Sequence, residues 1–294
     1  MNKVKLSPQC IRCILKKYLN CDLEDLLPDE KIKYMQGVLK ILGNADVTLS
    51  APEIVEQITE FKNNFAKIAD YSEIKIHFNN LLLSKENEIE DKICAMPNPL
   101  RAAVKYAMTG NFIDFGAMDN VDEIHLKQML DKFDKIVIDE SEFEQFESEV
   151  LTAKNIVYLI DNCGEIVLDK LLIKQILKLN NKVNIDVIVR GKPVLNDCTI
   201  YDARQVGLDK IVNVIGNGTG ISGTVLRKIS TQALGIIDNA DMVISKGQGN
   251  FETLYGCGKN IYYLFLCKCK MFAQRFNVEE FTGMFINDLR LNFD

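Results

Sequence analysis

Asn155-Ile156-Val157-Tyr158-Leu159-Ile160-Asp161-Asn162-Cys163-Gly164-Glu165 is the stretch that decides the fold. An apolar, β-branched run stops at a polar turn. Beyond the turn, Ile166, Val167, Leu168, Leu171, Leu172, Ile173, Ile176 and Leu177 are spaced as the buried face of a helix. The reading is strand, loop, helix. In an open α/β sheet the ligand crevice lies outside the carboxyl ends of the strands, which places Asp161, Asn162 and Glu165 there. A carboxylate beside a carboxamide, ahead of a helix start whose free N–H groups favour anions, suits a cation bridged to a phosphate. Asp-Asn-x-Gly is also ordinary turn chemistry and Asp a good helix cap, so this stretch alone leaves a structural role open.

The same texture extends outward. From about residue 135, short apolar runs (135–138, 155–160, 183–189, 211–215, 242–244 and 261–266) alternate with amphipathic stretches read as helices at 141–150, 166–180, 200–207, 222–235 and 250–256. Strands alternating with helices predict a parallel sheet covered on both faces. Residues 1–110 instead read as helical throughout. Ser50-Ala51-Pro52-Glu53 is a capping signal for a helix reaching Ile68, Glu73 to Ala95 reads as one long helix, and Leu100 to Met108 as another. Thr109-Gly110-Asn111-Phe112-Ile113-Asp114-Phe115-Gly116 breaks that pattern, as a linker or as a functional loop carrying Asn111 and Asp114. The expected organisation is a helical domain over 1–110 and an α/β domain over 111–294.

Composition narrows the function. With 41 acidic against 35 basic residues the net charge is −6, and no basic cluster marks a nucleic-acid face. No apolar run reaches the roughly 18 residues of a membrane span, and the first residues show no signal-peptide core, so a cytoplasmic protein is expected. Nine cysteines suggest free thiols or metal ligands rather than a disulfide framework, and two histidines, His77 and His125, argue against a His-based triad.

Two further strand ends carry chemistry. Arg190-Gly191-Lys192-Pro193-Val194-Leu195-Asn196-Asp197 again puts an acid near a helix start. If its strand neighbours the one ending at Asp161, then Asp161, Asn162 and Asp197 supply hard oxygen ligands for one magnesium, manganese or similar ion. Capping is the alternative for Asp197, and Arg190 is either a phosphate clamp or a solvated side chain. In Lys246-Gly247-Gln248-Gly249-Asn250, a lysine and two glycines before a helix form a candidate phosphate cradle. Gly216-Asn217-Gly218-Thr219-Gly220-Ile221-Ser222-Gly223 is glycine-rich, but no acid ends the next strand as a dinucleotide fingerprint requires, so it reads as a loop over the crevice. Cys10, Cys13, Cys267 and Cys269 could form a four-sulfur metal or redox site, or be free thiols.

These pieces in this order resemble the metal-dependent damage-control phosphatases, also known as domain of unknown function eighty-nine, in their shorter prokaryotic branch. The resemblance runs through Cys10-x-x-Cys13, Gly110-Asn111-x-Ile113-Asp114, Asp161-Asn162-x-Gly164-Glu165, Arg190-Gly191-x-Pro193-x-x-Asn196-Asp197 and Lys246-Gly247-Gln248-Gly249-Asn250. It implies a helical amino-terminal region followed by a three-layer α/β/α, Rossmann-like domain with a mostly parallel sheet. It also implies a divalent cation (Mg, Mn, Co or Ni) on Asp161, Asn162 and Asp197, with Lys246 on the substrate phosphate and the Asn111–Asp114 loop at the site. Cys163 stands where that family often has a small residue, and no role is carried onto it.

The expected reaction is hydrolysis of a small phosphorylated metabolite such as a sugar phosphate by cation-activated water. Lys246, Gly247, Gly249, Asn250, Asn111 and Arg190 are expected to serve the substrate, and Glu165 or Asp114 to orient the water. The helix start after Gly164 is expected to stabilise the transferring phosphoryl group. Asp161 as a phosphate-accepting nucleophile ranks lower, because position 163 is Cys and not the second Asp of an Asp-x-Asp pair. An S-adenosylmethionine-dependent methyltransferase and a non-catalytic phosphometabolite-binding protein are the rival classes. Neither nucleic acid nor membrane is an expected partner.

Overall fold

The computed structural model describes residues 4–20, 23, 25–66, 70–111, 130 and 133–291. Its centre is a mixed sheet of six strands: β1 (Asn155–Leu159), β2 (Asn184–Val189), β3 (Asn213–Gly216), β4 (Met242–Lys246), β5 (Ile261–Leu266) and β6 (Gly283–Asn287). The order is β3-β2-β1-β4-β5-β6; every pairing is parallel except β5 with β6. Twelve α-helices stand among the described residues.

Alternation along each strand divides the core in two. Ile156, Tyr158 and Ile160 face one layer, built of α4 (Ser72–Leu83), α5 (Glu86–Ala95), α6 (Pro99–Gly110), α7 (Glu140–Thr152), α8 (Glu165–Leu179) and α9 (Ile200–Gln205). Val157 and Leu159 face the other, built of α10 (Thr231–Asp238), α11 (Gln248–Leu254) and α12 (Lys270–Phe276). Both faces are buried, so β1 and β5 read as unbroken apolar runs. A third cluster unites α1 (Pro8–Leu19), α2 (Pro28–Gly43) and α3 (Ala51–Lys62) around Tyr34, Val38, Ile54 and Ile58. Arg227 and Lys228, on the loop after β3, pair with Glu53 and Glu56 of α3. No helix among the described residues is long and apolar enough to cross a membrane.

The structure corrects several expected elements. Residues 136–138 show strand-like alternation, with Ile136 and Ile138 buried and Val137 exposed, but they pack against helices and pair with no strand. The Glu73–Ala95 helix is interrupted at Ser84 and Lys85. The 222–235 helix begins only at Ser230, whose side chain accepts the Ala233 N–H, because the preceding residues form a loop against Arg190. The antiparallel edge strand β6 and helix α12 were not anticipated.

Candidate active site

After β1, β2 and β3 the chain crosses back to lay β4 on the opposite side of β1, which makes the carboxyl ends of β1 and β4 the topological switch point where open α/β sheets bind ligands. The loops leaving β1 and β2 are joined there. The Cys198 N–H donates to the Asp161 carbonyl at 2.8 Å, the Cys163 N–H donates to the Asn196 carbonyl at 2.9 Å, and Asn162 and Asp197 face each other as an isolated antiparallel bridge. This pairing brings Asp161, Asn162 and Asp197 to one place. Asp161 keeps partial access to solvent, whereas Asn162 and Asp197 are buried.

Arg190 binds the acids together. Its Nε donates to Asp197 Oδ2 at 2.7 Å and its Nη2 to Asp161 Oδ1 at 3.2 Å, while Nη1 reaches Asn250 Oδ1 and the Gly223 carbonyl, each at 2.9 Å. Burial, then the charges of Asp197 and Glu165, push Asp161 up to about 7, against the opposing pull of Arg190 and Lys268. Burial also raises Asp197, with Arg190 resisting. Arg190 sets one positive charge against the two acids.

Lys246 is not presented to the crevice. Fully buried, it donates to Glu165 Oε1, to Asp169 Oδ1 at 2.7 Å and to the Ala107 carbonyl at 2.8 Å, which uses all three donors of an ammonium. Burial opposes its charge, but Asp169 and Glu165 hold its pKa above the ordinary lysine value. Glu165 is equally enclosed, with Oε2 accepting from Asn111 at 3.0 Å and Asn162 at 3.1 Å, so it is not placed to orient water. Arg190, Asn111 and Asn250 are buried as well. Asn111 bridges Glu165 to the Leu266 N–H, and Asn250 bridges the Lys246 carbonyl to Arg190. These side chains build the frame of the site rather than its open surface. Asp114 lies outside the described residues.

The glycines serve close approach. Gly247 has φ +81°, and a Cβ there would stand 2.0 Å from Asp161 Oδ2; one at Gly249 would stand 2.2 Å from the Ser222 carbonyl. The helix start after Gly164 is also partly spent inside the protein, since the Gly164 N–H donates to Asn79 Oδ1 of α4 at 2.7 Å. The Gly216–Gly223 segment folds as a loop over the site: Thr219 accepts from the N–H groups of Gly191 and Lys192, and Ser222 Oγ donates to Asp197 Oδ1 at 3.3 Å. Sequence reading missed Asn79, Asp169, Ser222 and Lys268. Lys268 follows β5, half-buried, where Gln248 Oε1 accepts its N–H at 3.1 Å, and its charge reaches Asp161. Asp169 did leave a signal, an acid one turn after Glu165 set between the apolar Leu168 and Leu171 on the buried side of the helix.

The oxygens of Asp161, Asn162 and Asp197 fit a hard divalent cation completed by water, and their mutual repulsion is what such a charge would relieve. Among the described residues no group of three His, Cys, Asp or Glu side chains is arranged to hold a metal, so the carboxamide is needed to complete the set. For the same reason Cys10, Cys13, Cys267 and Cys269 do not close into a four-sulfur centre; all are free thiols.

Comparison with known proteins agrees with this architecture. A family profile described as the damage-control phosphatase ARMT1-like domain matches residues 6–283. An uncharacterized protein of Methanocaldococcus jannaschii is 30% identical, over 94% of this chain and 93% of its own. A damage-control phosphatase of Pyrococcus horikoshii is 39% identical over 60% of this chain and 61% of its own, and one of Archaeoglobus fulgidus is 29% identical over 94% and 96%. The crystal structure of a DUF89 family protein from Pyrococcus horikoshii superposes with a TM-score of 0.79 at 27% identity, covering 97% of this chain and 99% of that one. The chain belongs to the damage-control phosphatase ARMT1-like family.

Proposed function

We propose that this protein is a metal-dependent phosphatase that hydrolyses phosphomonoesters of small metabolites, sugar phosphates among them. The observation that carries the reading is the meeting of Asp161, Asn162 and Asp197 where adjacent parallel strands end at the switch point of the sheet. Those three residues would hold the cation. When bound, it supplies Lewis acidity toward a phosphoryl oxygen and toward water.

The chain's own residues do the rest. Asp161, partly open to solvent, is the face of the cluster that substrate meets. Lys268 at the mouth offers a positive charge to the phosphate dianion. Arg190 fixes the separation of Asp161 and Asp197 through its fork. Gly247 lets the β4 backbone pass against Asp161 without a side chain in the way. The relatives named as damage-control phosphatases support the same class of reaction.

The test is phosphate release from p-nitrophenyl phosphate and a sugar-phosphate panel, using chelator-stripped protein with Mg, Mn, Co or Ni returned and Asp161→Ala as control. Activity that requires the cation and disappears in the variant is expected. A folded protein silent with every cation and ester, or an active Asp161→Ala variant, would overturn the reading.

A further inference from the structure

We infer that the buried Asp169–Lys246–Glu165 chain is a positioning device that sets which way the Asn162 carboxamide faces, directing its oxygen toward the cation site. The inference rests on the cation reading above and goes beyond it to the residues that prepare a ligand.

A carboxamide has two ends of nearly equal shape and opposite function. Asn162 Nδ2 donates to Asp161 Oδ2 at 2.8 Å and to Glu165 Oε2 at 3.1 Å. With its nitrogen donating to both carboxylates, Asn162 turns Oδ1 the other way, where it accepts from Asn196 Nδ2 at 2.8 Å. Asn111 Nδ2 donates to the same Glu165 oxygen at 3.0 Å, a second donor that marks that atom as an acceptor.

Glu165 cannot turn away from this duty. Its other oxygen is held by the Lys246 ammonium, which is anchored on Asp169 Oδ1 and the Ala107 carbonyl; Asp169 Oδ1 also accepts from Tyr158 Oη at 2.8 Å. Glu165, Asp169 and Lys246 are all 0% exposed, so water does not stand in for any of these partners. An inverted Asn162 would face the cation with N–H donors and remove one of three ligands. Outer residues that orient ligands in this way are worth about 10–100-fold in metal affinity.

Glu165→Gln tests the device. Lys246 has donors alone, so the glutamine oxygen must stay with it and the glutamine NH2 must face Asn162. Asn162 then turns its oxygen inward. Direct titration of chelator-stripped protein with Mn2+, followed by electron paramagnetic resonance or calorimetry, is expected to show binding weakened by about tenfold or more.

Wild-type affinity in Glu165→Gln, even with a lowered melting temperature, would overturn the inference. Wild-type protein that binds none of Mg, Mn, Co or Ni would overturn the cation reading itself, and this inference with it, so the two failures are distinguishable. Should Glu165→Gln not fold, side-chain amide exchange in 15N-Asn-labelled wild-type protein decides. Slow exchange at Asn162, unchanged by Mg2+, is expected, and fast exchange would overturn the proposal.

Discussion

Asn162 and Asp197 face each other across a single antiparallel bridge between the loops that leave two parallel strands. The two loops are thereby fixed to each other by backbone as well as by side chain, and Arg190 adds a charged clasp across them. Arg190→Met would leave the buried Asp197 and the partly exposed Asp161 without their guanidinium. A loss of about 3–5 kcal/mol in unfolding free energy is expected, read as a lowered urea midpoint. An unchanged midpoint would mean that the clasp is replaceable.

Asp197→Asn keeps the shape of the side chain and an acceptor for Arg190 Nε, but removes the charge. Turnover is expected to fall on the order of 100-fold, with the melting temperature nearly unchanged. Steady-state kinetics at rising cation concentration will show whether the defect lies in cation binding, since a binding defect is partly recovered at high metal.

Lys246→Met removes the ammonium bonded to Glu165 and Asp169. The loss expected from a broken buried ion group is about 3–5 kcal/mol at neutral pH. Burial already pushes Asp169 up to about 7 with its lysine present. Without the lysine Asp169 folds best protonated, so its folded pKa lies above the unfolded one. The stability that goes with the protonated form is complete at low pH and disappears as pH rises through the folded value. The deficit against wild type should therefore be smaller near about pH 5 than near about pH 8, measured by denaturant unfolding at each.

Gly247→Ala places a methyl group against Asp161 Oδ2 at a residue with φ +81°. Strain and displacement of Asp161, the proposed cation ligand, act together, and a stability loss of about 1–3 kcal/mol with a larger loss of activity is expected. Gly43→Ala, which meets nothing within 4 Å at a helix end, is the control expected to leave both unchanged.

Thiol labelling should follow burial. Cys163 and Cys198 are buried with sulfurs 3.5 Å apart, and burial raises both thiols above the ordinary value. Cys13 and Cys94 are exposed. An aromatic disulfide reagent is expected to modify Cys13 and Cys94 in the native protein, and Cys163 and Cys198 only after denaturant is added. Peptide mapping gives the order.

The sheet was legible because β1, β2, β4 and β5 are buried on both faces and so spell apolar runs that stop at polar loops. Asp161, Asn162 and Asp197 were legible because each follows such a stop. What escaped was direction. Lys246 and Asn250 sit at a strand end and in a glycine turn, the local marks of a phosphate cradle, yet α6 and α8 meet over that strand end and enclose the ammonium between Ala107, Glu165 and Asp169. No local pattern reports that enclosure. Asn79 was invisible for a similar reason, being a mid-helix Asn whose partner, Gly164, lies 85 residues away. The β6 edge escaped because Met284-Phe285-Ile286 is too short a run to stand apart from the loops around it.

The Lys246 ammonium also sets an order of events at the ribosome. Asp169 is synthesised 77 residues before the lysine that neutralises it. At about 5–20 residues per second, the nascent chain carries its paired acids for several seconds without their counter-charge. In that interval α8 can be sealed against β1 only if the acids take up protons, which favours a first half of the sheet that stays open to water until β4 emerges. Closure of the half that holds the candidate site is then expected to come late, and truncations that end before Lys246 should yield chains that chaperones retain rather than a smaller folded domain.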